Sequence, residues 1–157
     1  MLFFRLSFRV RTTTYVVLDT ETTGLRAGRH GLTELYTARI DGQGNLKEEF
    51  HSLINPGHHI PSFITRLTGI TDEMVKNAPS AKEVINDFND FLRPSDVIVG
   101  HNVRFDLSFL DYARVHACGE PFCNQSLCTL LLARRLFAHS PLPSYKLGHL
   151  ASHFAID

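Results

Sequence analysis

The segment Tyr15-Val16-Val17-Leu18-Asp19-Thr20-Glu21-Thr22-Thr23-Gly24-Leu25 most narrows what this chain can fold into. Four residues suited to a buried strand run into two carboxylates spaced i, i+2, and a Thr-Thr-Gly turn follows. Side chains on a strand alternate faces, so Asp19 and Glu21 point the same way, a few ångströms apart. Like charges held that close at the end of a buried strand repel, and each raises the other's pKa unless something positive lies between them. Hard divalent cations such as Mg²⁺ or Mn²⁺ take oxygen ligands and relieve that repulsion. An acid pair that simply faces water is the plainer reading of an isolated Asp-x-Glu, so the rest of the chain has to decide.

A second constellation completes the first. Asp96-Val97-Ile98-Val99-Gly100 reads as a short buried strand ending at glycine, and His101 to Leu110 reads as a helix start. On that helix Asp106, Phe109, Leu110 and Ala113 fall at i, i+3, i+4 and i+7, one face, with Arg104, Ser108, Asp111 and Val115 mostly opposite. Asp106 is therefore expected on the apolar, sheet-facing side, where an unpaired carboxylate is costly to bury. Either a cation or a hydrogen bond from a neighbouring Asn or backbone amide would satisfy it.

Together the two segments resemble the first two motifs of the DEDD exonuclease superfamily, its DnaQ-like proofreading group in particular. Asp19 to Leu25 matches the D-x-E-T-T-G-L strand end, Gly100 to Asp106 the G-H-N-x-x-F-D helix start, and Leu67-Thr68-Gly69-Ile70-Thr71 the L-T-G-I-T segment between them. The resemblance spans nearly the whole chain. It implies an α/β, ribonuclease H-like fold, a mixed sheet flanked by helices. It also implies a metal-dependent 3′→5′ exonuclease acting on single-stranded or frayed DNA 3′ ends, with a DNA polymerase subunit as a partner.

Two divalent ions, Mg²⁺ or Mn²⁺, about 3.5–4 Å apart, serve such hydrolysis by activating water and stabilising both the attacking and the leaving oxygen. By resemblance Asp19 would bridge both ions, and Glu21 and Asp106 would each hold one. Thr22, Thr23 and Gly24 sit where the family's backbone amides and hydroxyl meet the 3′-terminal nucleotide. Leu25 and Phe105 look like the apolar groups that wedge or stack on terminal bases. Asn102 would orient the substrate or Asp106, and His101 would be structural or substrate-contacting. Glu34 is either a further site-adjacent acid or a strand residue facing solvent. RNA-directed exonucleases share the two surviving motifs, so an RNA substrate stays open, as does a non-catalytic remnant that binds nucleic acid or a polymerase. The L-T-G-I-T segment and the Tyr145-to-Ala151 run lean toward the polymerase-associated DNA group.

The match then breaks off. The family's third motif, H-x-x-x-x-D, supplies the general-base histidine and the fourth acid. No histidine after Asp106 has an aspartate five residues on, and the chain ends at Asp157. The expectation is a domain incomplete at its C-terminus over 15–157, impaired in turnover because base and fourth acid are absent. Residues 1–14 are expected to form a separate amphipathic strand, with Phe4, Leu6, Phe8 and Val10 alternating with Arg5, Ser7, Arg9 and Arg11. Covering a sheet edge suits it better than touching phosphate.

Charge narrows the options further. Lys and Arg number 16 and Asp and Glu 16, so no global positive field draws the chain to nucleic acid. Any such binding must come from a local site. Cys118, Cys123 and Cys128 are odd in number with no C-x-x-C pair, which favours free thiols over zinc. No run of 18 apolar residues occurs, so no membrane span and a cytoplasmic location are expected. His58 and His59 read as a surface loop, and His149 and His153 as an i, i+4 pair lacking a further ligand.

For the remaining elements, strands are expected over Leu32–Ile40 and Leu46–Ile54, joined by a turn at 41–45. Helices are expected over Pro61–Leu67 with Pro first, Ser80–Leu92 with a Ser80–Glu83 capping box, Ser126–Phe137 and Lys146–Phe154.

Overall fold

The structure, a computed structural model, describes residues 13–138 and 142–156. Its elements in chain order are β1 (Tyr15–Thr22), β2 (Leu32–Ile40), β3 (Leu46–Leu53), α1 (Ser62–Thr68), α2 (Asp72–Val75), α3 (Ala81–Phe91), β4 (Val97–Gly100), α4 (Arg104–Cys118), β5 (Ser126–Cys128), α5 (Thr129–Leu136) and α6 (Leu147–His153). The five strands form one sheet in the order β3-β2-β1-β4-β5. β1 pairs antiparallel with β2 and parallel with β4, and β4 pairs parallel with β5, so the sheet is mixed, with β1 at its centre.

β1 is half-buried where full burial was expected of its first four residues. Val16, Leu18, Thr20 and Thr22 are buried, while Val17 and Asp19 are exposed. Among the described residues, α3 and α4 pack on one face of β1. Val84, Ile85 and Phe88 of α3 and Phe109 and Leu110 of α4 form one cluster with Val16, Leu18, Leu35 and Ile98 of the sheet. Burial on that face supplies the hydrophobic driving force; the opposite face of β1 and β2 carries Asp19, Glu21, Glu34 and Tyr36.

Local chemistry places most of the helix boundaries. The Ser80 hydroxyl accepts from the Glu83 amide, and the Glu83 carboxylate accepts from the Ser80 amide, the capping box expected of α3. Pro61 lies just outside α1 as its N-cap and not at its first position. α2 is an addition: Thr71 accepts from the Met74 amide and starts a single turn too short for periodicity to show.

The expected helix over Ser126–Phe137 needs correction at its start. Ser126 to Cys128 form β5 against Ile98 to Gly100, and the helix begins at Thr129. Three residues carry no readable period, and the unpaired edge of β4 decides their conformation by offering hydrogen bonds.

The end of the sheet away from the acids is tied by a buried ion pair. Arg39 is almost wholly buried, and its Nε and Nη2 donate to Asp96 Oδ2 at 3.2 and 2.9 Å. Asp96 also accepts from the Arg93 amide and the Thr14 hydroxyl, and the Arg39 guanidinium lies 4.2 Å from the Phe91 ring centroid. The strand expected over residues 1–14 lies almost wholly outside the described residues; Thr13 and Thr14, which are described, precede β1 without joining it.

Candidate active site

The three acids singled out in the sequence come from the central strand and from the helix that follows its parallel neighbour. β1 and β4 run side by side, with Val17 opposite Val99, so β4 ends at Gly100 level with Leu18. The chain turns through His101-Asn102-Val103 into α4, and Asp106 in its first turn comes back against β1. There Asp106 Oδ1 accepts from the Thr20 amide at 3.1 Å and the Thr20 hydroxyl at 2.8 Å. The hydrogen-bond reading left open for this acid is the one seen, with a backbone amide and a hydroxyl of Thr20 as donors.

Thr20 was missed in the sequence, although its place between two outward-facing acids marks it as pointing toward whatever covers the sheet. The turn needs Asn102 at φ 68°, a left-handed conformation that Asn tolerates better than most residues.

The electrostatics couple the acids. Burial pushes the Asp106 carboxyl up to about 6; the Thr20 hydroxyl opposes that shift, and the charge of Asp19 adds to it. Asp19 is raised by partial burial, opposed by the Thr20 amide and reinforced by Glu34. Glu21 is raised by partial burial and then by the charges of Asp19, Glu34 and Asp106. Glu34 is thus adjacent to the site, as one of its two readings held. It is the register partner of Glu21, and His51 Nε2 lies 2.7 Å from its Oε1.

Among the described residues, no three His, Cys, Asp or Glu side chains stand together closely enough to hold a metal ion as placed. The fit to a cation is chemical: carboxylate oxygens only, from an exposed Asp19, a half-buried Glu21 and a buried Asp106, the donor type that hard ions such as Mg²⁺ and Mn²⁺ take.

The residues expected to meet substrate are placed unevenly. The Thr22 hydroxyl donates to the Gly24 carbonyl at 2.6 Å. The Thr23 hydroxyl accepts from the Gly31 amide at 3.0 Å and lies 3.5 Å from His58 Nε2. Both threonines are buried, so their hydroxyls shape the turn. Gly24 is pressed beneath the His30 ring, with which an added Cβ would collide. Leu25 is 81% exposed at the tip.

Phe105 is half-buried with its ring 5.2 Å from that of Phe109. His101 Nδ1 lies 3.1 Å from the Thr129 hydroxyl, and Asn102 is exposed. His30, His51 and Tyr36 carried no sequence signal; cross-strand register and a loop fold-back bring them here. His58 and His59 point apart, one toward Thr23 and the other toward Asp72. Cys118, Cys123 and Cys128 are free.

A mixed five-stranded sheet in this order, flanked by helices and presenting acids from its central strand, is the ribonuclease H-like exonuclease fold. E. coli exonuclease I in complex with an oligonucleotide superposes at a TM-score of 0.82, with 21% identity over 92% of this chain and 37% of that one, a likeness that bears on fold alone. Residues 16–157 match the model of the RNase_T exonuclease family, and the chain belongs to that family. It is 37% identical over 144 residues to DNA polymerase III subunit epsilon of Aquifex aeolicus, covering 92% of this chain and 69% of that protein. It is 41% identical over 147 residues to the PolC-type DNA polymerase III of Streptococcus sanguinis, covering 91% of this chain but 10% of that protein. No helix among the described residues is long and apolar enough to cross a membrane.

Proposed function

We propose that this chain is a divalent-metal-dependent 3′→5′ exonuclease of the proofreading type, removing nucleotides from single-stranded or frayed DNA 3′ ends. The observation that carries the reading is the placement of three carboxylates, Asp19 and Glu21 on one face of β1 and Asp106 in the first turn of α4 against Thr20. Each is raised first by burial, with Asp19 adding to Asp106 and both adding to Glu21, so that a cation would favour their ionised forms. Asp19, Glu21 and Asp106 would hold two ions, Mg²⁺ or Mn²⁺, which when bound supply Lewis-acid activation of water and charge stabilisation of the phosphoryl group.

The chain's own residues do the rest. Thr20 holds Asp106 against β1 by two donors to one oxygen, which leaves the second oxygen for the site. Thr22, Thr23 and Gly24 form a braced turn whose backbone receives the terminal nucleotide, and Leu25 lies exposed beside it for base contact. Asn102 and His101, on the turn into α4, would complete the substrate side, and Phe105, half-buried in the first turn of α4, would offer an apolar ring to a terminal base. The names of the relatives support a DNA polymerase subunit as partner.

Nothing among the 157 residues supplies the family's third motif. General-base catalysis typically contributes about 10²–10⁴-fold, so residues 1–157 assayed without such a histidine would turn over slowly. The test is digestion of a 3′-labelled single strand, as DNA and as RNA, with Mg²⁺ or Mn²⁺ and with chelator, alongside Asp19→Ala. Slow release from the 3′ end, preferring DNA and lost with chelator or with Asp19→Ala, is expected. Brisk turnover abolished by the substitution would show that the histidine is dispensable. A signal indifferent to Asp19→Ala would leave the non-catalytic, nucleic-acid-binding reading.

A further inference from the structure

Glu34 stands directly across the β1–β2 ladder from Glu21, and Tyr36 stands across from Asp19. Residues opposite one another in an antiparallel pair share a face, with Cβ atoms about 4.5–5.5 Å apart, and like charges so placed are destabilising. One strand further out, His51 is the register partner of Tyr36, its ring 6.0 Å from that of Tyr36. His51 reaches diagonally to Glu34, Nε2 to Oε1 at 2.7 Å. Among the described residues, the face of β1, β2 and β3 away from α3 and α4 therefore presents Asp19 and Glu21, then Glu34 and Tyr36, then His51.

As an ordinary surface ion pair this placement is poor. Exposed pairs contribute little, and a carboxylate at position 34 stands directly opposite Glu21, adding like-charge repulsion on the face that also carries Asp19. A neutral side chain there would serve the strand better.

We propose that Glu34, clasped by His51, is a positioning residue of the acidic site: its charge on β2 strengthens the hold of Asp19 and Glu21 on a divalent cation, and His51 fixes the direction of its carboxylate. The inference rests on the metal-dependent reading given above. Glu34 repels the ionised acid pair with or without metal, and a dication held against that pair adds an attraction to Glu34 that outweighs the repulsion. His51 acts through Glu34 and touches neither Asp19 nor Glu21 by any hydrogen bond among the described residues.

The experiment is Mn²⁺ titration of the metal-stripped 157-residue chain, followed by electron paramagnetic resonance of free Mn²⁺, for wild type, Asp19→Ala, Glu34→Gln, His51→Ala and the Glu34→Gln/His51→Ala double variant. Thermal melts without metal accompany it. Glu34→Gln should weaken Mn²⁺ binding about tenfold, as expected for one charge removed near a dication in a half-solvated site. Its metal-free melting temperature should not fall below that of wild type.

His51→Ala should weaken binding less than Glu34→Gln does, and the double variant should bind like Glu34→Gln, since coupled residues are non-additive. Binding by Glu34→Gln within about twofold of wild type, with Asp19→Ala disabled, would overturn this inference and leave the exonuclease reading standing. Weaker binding together with a lower metal-free melting temperature would mean a structural role and overturn it as well. A double variant weaker than Glu34→Gln would overturn the route through Glu34. Wild type binding no better than Asp19→Ala would overturn both readings.

Discussion

Replacing Asp106 with asparagine separates what the buried carboxylate costs the fold from what it contributes to chemistry. The side chain is almost wholly buried, and its carboxyl is raised from 3.8 to about 6. Between those values the folded protein keeps a proton that the unfolded chain has released. Unfolding then releases protons, so stability falls as pH rises from about 4 to about 6 and levels off above. A shift of about two units at 1.36 kcal/mol each makes the loss ~3 kcal/mol at pH 8.

The Asp106→Asn side chain would keep an acceptor for the Thr20 amide and hydroxyl and could not ionise. With divalent metal chelated, this variant should therefore be more stable than wild type at pH 8 by ~3 kcal/mol, roughly 6–12 °C in Tm for a domain of this size. The gap should close near pH 4. Urea unfolding at pH 4.5 and pH 8, with and without Mg²⁺, measures it. Added Mg²⁺ should stabilise wild type and leave the variant unmoved, while nuclease activity is lost in the variant. Equal or lower stability of Asp106→Asn at pH 8, or a gap that does not change with pH, would refute the reasoning. Asp96 does not confuse the measurement: its carboxyl is held low by the Thr14, Arg93 and Arg39 hydrogen bonds, against the opposing effect of burial. Its contribution is complete above the ordinary carboxylate range and is lost only as pH falls below it.

Three further substitutions probe the frame around the site. Arg39→Met strands the Asp96 carboxylate in the core and should destabilise by about 3–5 kcal/mol in urea unfolding; a change below about 1 kcal/mol would mean the pair is not what holds that end of the sheet. Ser80→Ala removes the α3 capping box and should cost about 1 kcal/mol, read as a lower urea midpoint with unchanged slope. Gly24→Ala must displace the His30 ring, so DNA binding at the strand tip should weaken while the melting temperature falls by only a few degrees. An undiminished affinity would remove Gly24 from the substrate surface.

Much of the fold was legible because it depends on short-range chemistry. The two acids of β1 share a face because strand side chains alternate, whatever packs nearby. The face of α4 that carries Asp106 with Phe109 and Leu110 follows from helical spacing, and the structure buries all three. The Ser80–Glu83 cap follows from two side chains three residues apart. The helix start misplaced at Ser126 shows the limit. Three residues hold no period, and only the edge of β4 gives them a strand partner.

The amino-acid sequence by itself determined that Asp19 and Glu21 would share a face, that Asp106 would lie on the apolar side of its helix, and which elements would carry the three acids. Tertiary structure alone decided what those side chains meet: Thr20 donating to an acid 86 residues away, Glu34 set against Glu21, His51 reaching Glu34, His30 lying over Gly24. Local spacing is written in neighbouring residues. Register between strands and the seating of a helix on a sheet are set by burial summed over the whole core, which no short window of residues contains.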